Sequence, residues 1–151
     1  MISDEMIAAA VAEAKFGDTE SEHALITMIS DRRRRILEAY LPTINPVASL
    51  ALGTDRRLHF TNMAVDANVA PPPVGYRAAW STFDNETGTA TPLTSVEGAV
   101  SPLPPVPLPP VAFVKVELSA VGGPEAWTKP VTAYFRRAGG TWSLVGLERM
   151  P

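Results

Sequence analysis

Hydrophobic residues recur every three or four positions over the first forty residues, a spacing typical of amphipathic helices. Ser3 is a good N-cap for a first helix, predicted over residues 4–16, and Gly17 suits the left-handed position that ends it. A second helix is predicted to begin in a capping box at Thr19 and to end at Pro42. Helices joined by so short a link predict an antiparallel hairpin. The second helix carries an apolar stripe formed by Leu25, Met28, Ile29, Ile36, Leu37 and Tyr40.

From Asn45 onward the hydrophobic spacing changes to every second residue, which indicates β-strands. The chain is therefore predicted to be an α+β protein. A helical hairpin, residues 1–44, is expected to pack on or beside an antiparallel sheet or sandwich, residues 45–151, in one compact unit. Strands are predicted over residues 58–61, 76–83, 89–100, Phe113–Val121, 131–137 and Thr141–Arg149, with turns at residues 84–88 and 138–140. Val114, Val116, Leu118 and Ala120 fall on one face of their strand, opposite a face that is predicted to be wet, and Val131, Ala133 and Phe135 are predicted to face inward. On the earlier strand, Tyr76, Ala78, Trp80 and Thr82 alternate with Arg77, Ala79, Ser81 and Phe83.

Proline is unusually frequent, with 15 residues in 151, and six prolines fall within residues 102–110. Because proline cannot donate to a β ladder, this segment is predicted to be a stiff polyproline II connector. Its PxxP spacings are those that dock in the aromatic grooves of SH3-type domains. The alternative is a rigid connector or edge strand that packs Leu103, Val106 and Leu108 onto the body of the domain. The absence of a flanking basic residue favours that alternative.

The net charge of −3 gives the chain no general attraction for nucleic acid or an anionic membrane. With no cysteine, disulfides, thiolate catalysis and zinc–sulfur sites are excluded. No apolar run reaches the ~20 residues of a membrane helix, and the acidic N-terminus lacks a signal-peptide pattern. We therefore expect a soluble, cytoplasmic protein, unless a leader or a parent chain lies upstream.

Four consecutive arginines, residues 32–35, interrupt the apolar stripe of the second helix. Clustered guanidinium groups could bind an anion or a phosphate. Runs of charge on a helix usually face water, so the alternative is a solvated face with pairs along the helix. The expected pairs are Asp31 with Arg35 and Arg34 with Glu38; on the sheet, Lys115 and Glu117 are expected to pair with Arg136 or Glu148.

Aromatic side chains could form a flat platform on which sugar rings stack. Tryptophans on strands more often anchor a core, and Trp80 and Trp142 are predicted to do so. Trp127 lies between two predicted strands, and we expect it to be exposed or to plug one end of the sheet. The residues that such a platform would draw on are Trp80, Trp127, Trp142, Tyr76 and Tyr134.

Catalytic and metal chemistry find little support in the sequence. His23 and His59 are the only histidines, and their spacing does not suggest three or four convergent ligands. Asp84 and Glu86 could bind calcium, but a hairpin turn explains them fully. There is no Gly-x-Ser-x-Gly motif, and the glycine pairs fall in turns rather than before helices. We expect no cofactor and no metal.

Two families share features with this chain. Residues 76–80, 113–118 and 130–135 resemble strands of a fibronectin type III or immunoglobulin-like sandwich, which implies a recognition or spacing role. Two helices followed by long antiparallel strands, the last of them beginning Gly139-Gly140-Thr141-Trp142, resemble the NTF2-like fold. That family includes small isomerases, dehydratases and binding proteins, so the likeness implies a pocket between sheet and helices.

The preferred hypothesis is a non-enzymatic interaction or accessory module, as a domain or subunit of a larger assembly, with a protein partner or another copy of itself. The alternatives are an NTF2-like protein that binds or converts a small molecule, with His59, Asp84 or Glu117 turned inward, and a carbohydrate-binding module. The candidate binding residues are Trp127, Tyr134, Arg136, Leu103, Val106, Arg33 and Arg34.

Overall fold

The computed structural model describes residues 2–149 and divides the chain into two compact units, a helical unit up to Tyr40 and a sheet unit from Leu41 onward. Within the described residues there are seven strands in two antiparallel sheets, together with one long helix and shorter ones. The predicted α+β class is therefore confirmed.

The helical unit contains α1 (Asp4–Glu13) and α2 (Thr19–Tyr40). The hydroxyl of Ser3 accepts the amide of Met6 at 3.2 Å, which confirms the predicted N-cap of α1. The helix ends three residues earlier than predicted. Lys15, with φ of 50°, takes the left-handed conformation that was expected at Gly17.

The N-cap of α2 is Asp18, and the predicted capping box of Thr19 and Glu22 is wrong. An Asp18 carboxylate oxygen accepts the amide of Ser21 at 2.7 Å, and this hydrogen bond lowers the pKa of Asp18. Thr19 is already the first helical residue, so its side chain is not placed to cap. As predicted, α2 stops where Pro42 follows, in a 3₁₀ turn at Leu41–Thr43.

The sheet unit contains a two-stranded and a five-stranded sheet, both antiparallel throughout. A short helix, α3 (Met63–Asp66), follows the first hairpin. The larger sheet has the strand order β4-β3-β5-β6-β7, and its last two strands are joined by Gly139 and Gly140 at φ of 58° and 86°. The strands are β1 (Val47–Leu52), β2 (Leu58–Asn62), β3 (Gly75–Asp84), β4 (Thr89–Gly98), β5 (Phe113–Val121), β6 (Val131–Ala138) and β7 (Thr141–Arg149).

The core lies between the two sheets. The side chains predicted to share the apolar face of β5 and those predicted to face inward on β6 are all buried. On β3, Tyr76, Ala78 and Trp80 are buried and Thr82 is half-buried. From the smaller sheet, Phe60 meets Tyr76 edge-on at 4.7 Å between ring centroids, and the Asn62 amide donates to the Tyr76 hydroxyl at 2.9 Å. These contacts join β2 to β3 of the larger sheet.

The proline-rich segment, residues 101–110, runs alongside β2, and we call it the proline strap. Its Leu103 amide donates to the Leu58 carbonyl at 3.0 Å, and its Val106 amide donates to the Arg56 carbonyl at 3.1 Å. Leu103 and Val106 are fully buried, and Leu108 is half-buried. The packing predicted for these side chains is confirmed, whereas the polyproline II conformation stays a prediction.

Candidate functional site

The helical unit leaves most of its large apolar side chains uncovered. Ile7 and Val11 of α1 are buried, whereas no residue of α2 is. At 1.5 Å per residue, α1 is about 15 Å long and α2 about 33 Å, so α1 covers less than half of α2. Exposed large apolar side chains of this unit are Ile2, Met6, Phe16, Met28, Ile29, Ile36 and Tyr40.

An apolar groove of about 520 Å³ runs between α1 and α2. Met6 and Ala10 line it from α1, Leu25 and Ile29 line it from α2, and Phe16 lines it from the link between them. We call this set the apolar groove. Covering apolar surface contributes about 25 cal/mol per Å², so the exposure of this groove to water is unfavourable.

Of the two candidate binding residues on α2, Arg33 links α2 to α1, whereas Arg34 pairs within α2. The guanidinium of Arg33 lies 2.9 Å from the Asp4 carboxylate and donates to the Ile2 carbonyl at 2.7 Å, which ties the start of α1 to α2. Arg34 lies 2.9 Å from Asp31. The predicted pairs of Asp31 with Arg35 and of Arg34 with Glu38 are therefore wrong, because Asp31 and Arg34 bind each other.

Polar side chains form a second cluster on the outer face of the larger sheet. Lys115 and Glu117 lie two residues apart on β5 and pair at 3.1 Å, so the predicted pairing with Arg136 or Glu148 is wrong. The Tyr134 hydroxyl lies 3.3 Å from a Glu148 carboxylate oxygen, and Lys115 lies opposite Tyr134 in the strand register. We call Lys115, Glu117, Tyr134 and Glu148 the outer polar cluster.

Burial, followed by the nearby Glu148 carboxylate, raises the pKa of Tyr134. Tyr134 therefore remains a protonated donor at neutral pH. Its ring lies 4.8 Å from that of Phe83, so one side of the phenol is apolar. Arg136 is exposed two residues further along the same strand face.

The remaining candidate binding residues are core residues. Trp127 is fully buried, and its indole N–H donates to the Leu41 carbonyl at 3.1 Å. Of the two expectations for Trp127, exposure is wrong, because the 3₁₀ turn at Glu125–Thr128 directs it into the unit, and the alternative, that it plugs one end of the sheet, stays a prediction. Leu103 and Val106, which belong to the proline strap, are also fully buried. None of these three side chains is accessible to a partner in this structure.

The tryptophans do not form an exposed platform. Trp80 is buried, as predicted, but Trp142 is only half-buried on edge strand β7, so its predicted core position is wrong. The Arg137 guanidinium lies 5.8 Å from the centre of the Trp142 ring, in cation–π range. A stacking surface made of two exposed tryptophans is therefore absent from residues 2–149.

The titratable residues considered for catalysis or metal binding lie apart from both clusters. His23 is exposed on α2, and His59 and Asp84 are exposed in the sheet unit, so the latter two are not turned into a pocket. An Asp84 oxygen accepts the amides of Glu86 at 2.9 Å and Thr87 at 3.2 Å, which confirms the predicted turn. Among residues 2–149, no three His, Asp or Glu side chains converge as metal ligands. The helices in that range are too short or too polar to cross a membrane.

The sequence analysis missed Met6, Ala10 and Phe16 as functional candidates. The sequence did contain a signal for them: the apolar stripe of α2 has six residues, which is more than the shorter helix α1 can cover.

Comparison of the chain with protein-family models, curated proteins and solved structures found no match.

Proposed function

We propose that the chain is a non-enzymatic protein-interaction module, with the apolar groove of the helical unit as its docking surface. One observation carries the proposal: the helical unit contains two well-formed helices, but among its described residues, 2–40, only Ile7 and Val11 are buried. Two helices alone expose more apolar surface than a stable unit of this size tolerates.

The groove has the features of a surface that receives another helix or an extended apolar segment. Met6 is 58% exposed and Ile29 38% exposed, and the small side chain of Ala10 also lines the groove. A cleft with apolar walls is typical of helix-in-groove recognition. The charged group at its edge, Arg33, is already paired with Asp4.

The test is affinity capture with the full chain from a lysate of its source, together with the mass of the purified chain in solution. We expect either a retained protein or self-association, and we expect Ile29→Lys to abolish it. Val74→Lys is the matched control, since it introduces the same charge at an 80% exposed valine of the sheet unit. A monomer that retains nothing, or a complex that survives Ile29→Lys, would contradict the proposal.

A second function, small-molecule binding of the NTF2-like kind, is favoured by the outer polar cluster. Lys115 offers a cation, Glu117 and Glu148 offer carboxylates, and Tyr134 offers a hydroxyl, all on one face of the sheet. Such a set could orient a small polar ligand against the Phe83 ring.

This second function is tested by nuclear magnetic resonance titration with a panel of small organic acids and amines. We expect shifts confined to the outer polar cluster, lost in Tyr134→Phe and Lys115→Met. Shifts that are absent, or that persist in both variants, would remove this candidate.

A further inference from the structure

One side of α2 carries an ordered set of acidic, apolar and basic side chains. Glu22, Leu25, Ile29 and Arg32 are spaced by three, four and three residues, so they lie along a single face of the helix. Leu25 and Ile29 line the apolar groove. Ile29 and Arg32 are exposed, and Glu22 and Leu25 are half-buried. We call these four residues the pairing face.

The pairing face is symmetric about Thr27. Leu25 and Ile29 lie two residues before and after Thr27, and Glu22 and Arg32 lie five residues before and after it. A two-fold axis at the level of Thr27 would therefore exchange the two apolar residues with each other and the acid with the base. An isologous dimer contact has this property of self-complementarity.

We propose that a second copy of this chain covers the apolar groove, with the two α2 helices antiparallel across the pairing face. Glu22 of each copy faces Arg32 of the other, so the contact contains two such ion pairs. Leu25 of each copy faces Ile29 of the other at the centre. The proposal rests on the proposed function and specifies the partner that the apolar groove receives.

The order of the charged residues along α2 favours a second copy of the chain as the occupant of the apolar groove. In a parallel arrangement Glu22 would face Glu22 and Arg32 would face Arg32, which is repulsive at both ends. A different protein would need a base and an acid in reversed order around two apolar residues. A second copy of the chain, rotated about the two-fold axis, presents its own Arg32 and Glu22 in that reversed order. Two helix pairs joined in this way make a four-helix arrangement, in which Met6 and Phe16 of each copy border the joined grooves.

The mass of the full chain in solution is the first test. Light scattering at micromolar concentration is expected to give 32.4 kDa, twice the 16.2 kDa of one chain. A mass of 16.2 kDa at every concentration would overturn the proposal.

Charge exchange is the second test, and it addresses the antiparallel register itself. Glu22→Arg alone and Arg32→Glu alone are each expected to raise the dimer dissociation constant by about tenfold or more, because each creates two like-charge contacts. The double variant is expected to restore dimerisation. Glu20→Arg is the matched control, since it makes the same charge change in the same turn on the opposite side of α2. Circular dichroism on every variant checks that α2 is retained.

The outcomes separate this proposal from the function on which it rests. If Glu20→Arg weakens the dimer as much as Glu22→Arg, or if the double variant is no better than the single ones, the antiparallel pairing is wrong. If the chain is a monomer that captures another protein through Ile29, the pairing proposal fails and the interaction function stands. If it is a monomer that captures nothing, both fail.

Discussion

Asn45 is a single buried side chain that joins three segments of the sheet unit. Its amide nitrogen lies 3.1 Å from the Leu118 carbonyl, 3.2 Å from that of Trp127 and 2.8 Å from that of Lys129, and its oxygen accepts the Val47 amide at 3.2 Å. It therefore satisfies backbone groups on β1, on β5 and around the 3₁₀ turn that holds Trp127. No motif marks this residue in the sequence, because the carbonyl groups to which its amide donates are more than seventy residues away.

Asn45→Ala is expected to lower the free energy of unfolding by about 2–4 kcal/mol, because several buried backbone groups would lose their partner. Urea denaturation followed by tryptophan fluorescence measures the change. Asn85→Ala, in the exposed turn between β3 and β4, is the control and should change stability by less than about 0.5 kcal/mol. A loss below about 1 kcal/mol at Asn45 would show that water replaces its hydrogen bonds.

Asp84 gives the β3–β4 turn a dependence on pH. Amide hydrogen bonds, first from Thr87 and then from Glu86, hold the pKa of its carboxyl below the usual 3.8. Since the folded-state pKa is the lower one, the carboxylate contributes stability above pH 3.8, and that contribution is lost as the pH falls through the folded-state value.

Asp84→Asn, which keeps the acceptor oxygen but cannot titrate, should therefore show a smaller loss of stability on acidification than the wild type. Denaturant unfolding at neutral and acidic pH measures it, with Glu86→Gln as the control for removing a charge from the same turn. Nuclear magnetic resonance titration of the Asp84 carboxyl should give a pKa below 3.8. A normal pKa would contradict the assignment of the turn hydrogen bonds.

At the scale of elements, the proline strap shows how a segment with few amide donors can still close a sheet edge. Leu103 and Val106 keep their amides among six prolines, and both amides donate to backbone carbonyls at or beside β2. Ser101 adds an acceptor for the Phe60 amide at 2.9 Å. The strap thus covers an edge that could otherwise pair with another chain, and it places two apolar side chains in the core.

Leu103→Ala is expected to cost about 2–5 kcal/mol, the range for deleting a fully buried leucine side chain. Pro107→Ala, at an exposed position of the same strap, should cost no more than about 1 kcal/mol through the unfolded state. Thermal and urea unfolding of both variants make the comparison. Equal effects of the two changes would mean that the strap is not packed against the sheet unit.

The sequence predictions were accurate where interactions between residues close in sequence decide the structure, and less accurate where distant residues decide it. The bounds of β5 and β7 follow from local alternation, and they are as predicted. The cap of α2 was misassigned because Asp18 and Thr19 are adjacent and both cap well. The burial of Trp127 was left undecided because flanking prolines and glycines give it no periodicity, and its partner Leu41 lies 86 positions away. The apolar groove was not predicted, because its extent depends on α1 ending at Glu13, three residues before the predicted end.

At the scale of the whole molecule, the two units differ in how they achieve stability. The sheet unit has a core of fully buried side chains from both sheets, closed by the proline strap and Trp127. Among residues 2–40, the helical unit has two buried side chains, Ile7 and Val11, and an open groove. Because apolar burial is the main favourable term in folding, the sheet unit should fold without the helices, whereas the helices need a cover.

Residues 41–151 produced alone are therefore expected to unfold cooperatively, with the β-type circular dichroism and the buried tryptophan emission of the full chain. Residues 1–40 alone should show little helix when dilute and should gain helix with increasing concentration, because pairing covers the groove. Ile29→Lys in that peptide should remove the dependence of helix content on concentration. The same change in the full chain should leave the sheet unit unaffected. A peptide that is fully helical as a monomer would show that α1 and α2 need no cover, and the reason for assigning a docking surface to the apolar groove would be lost.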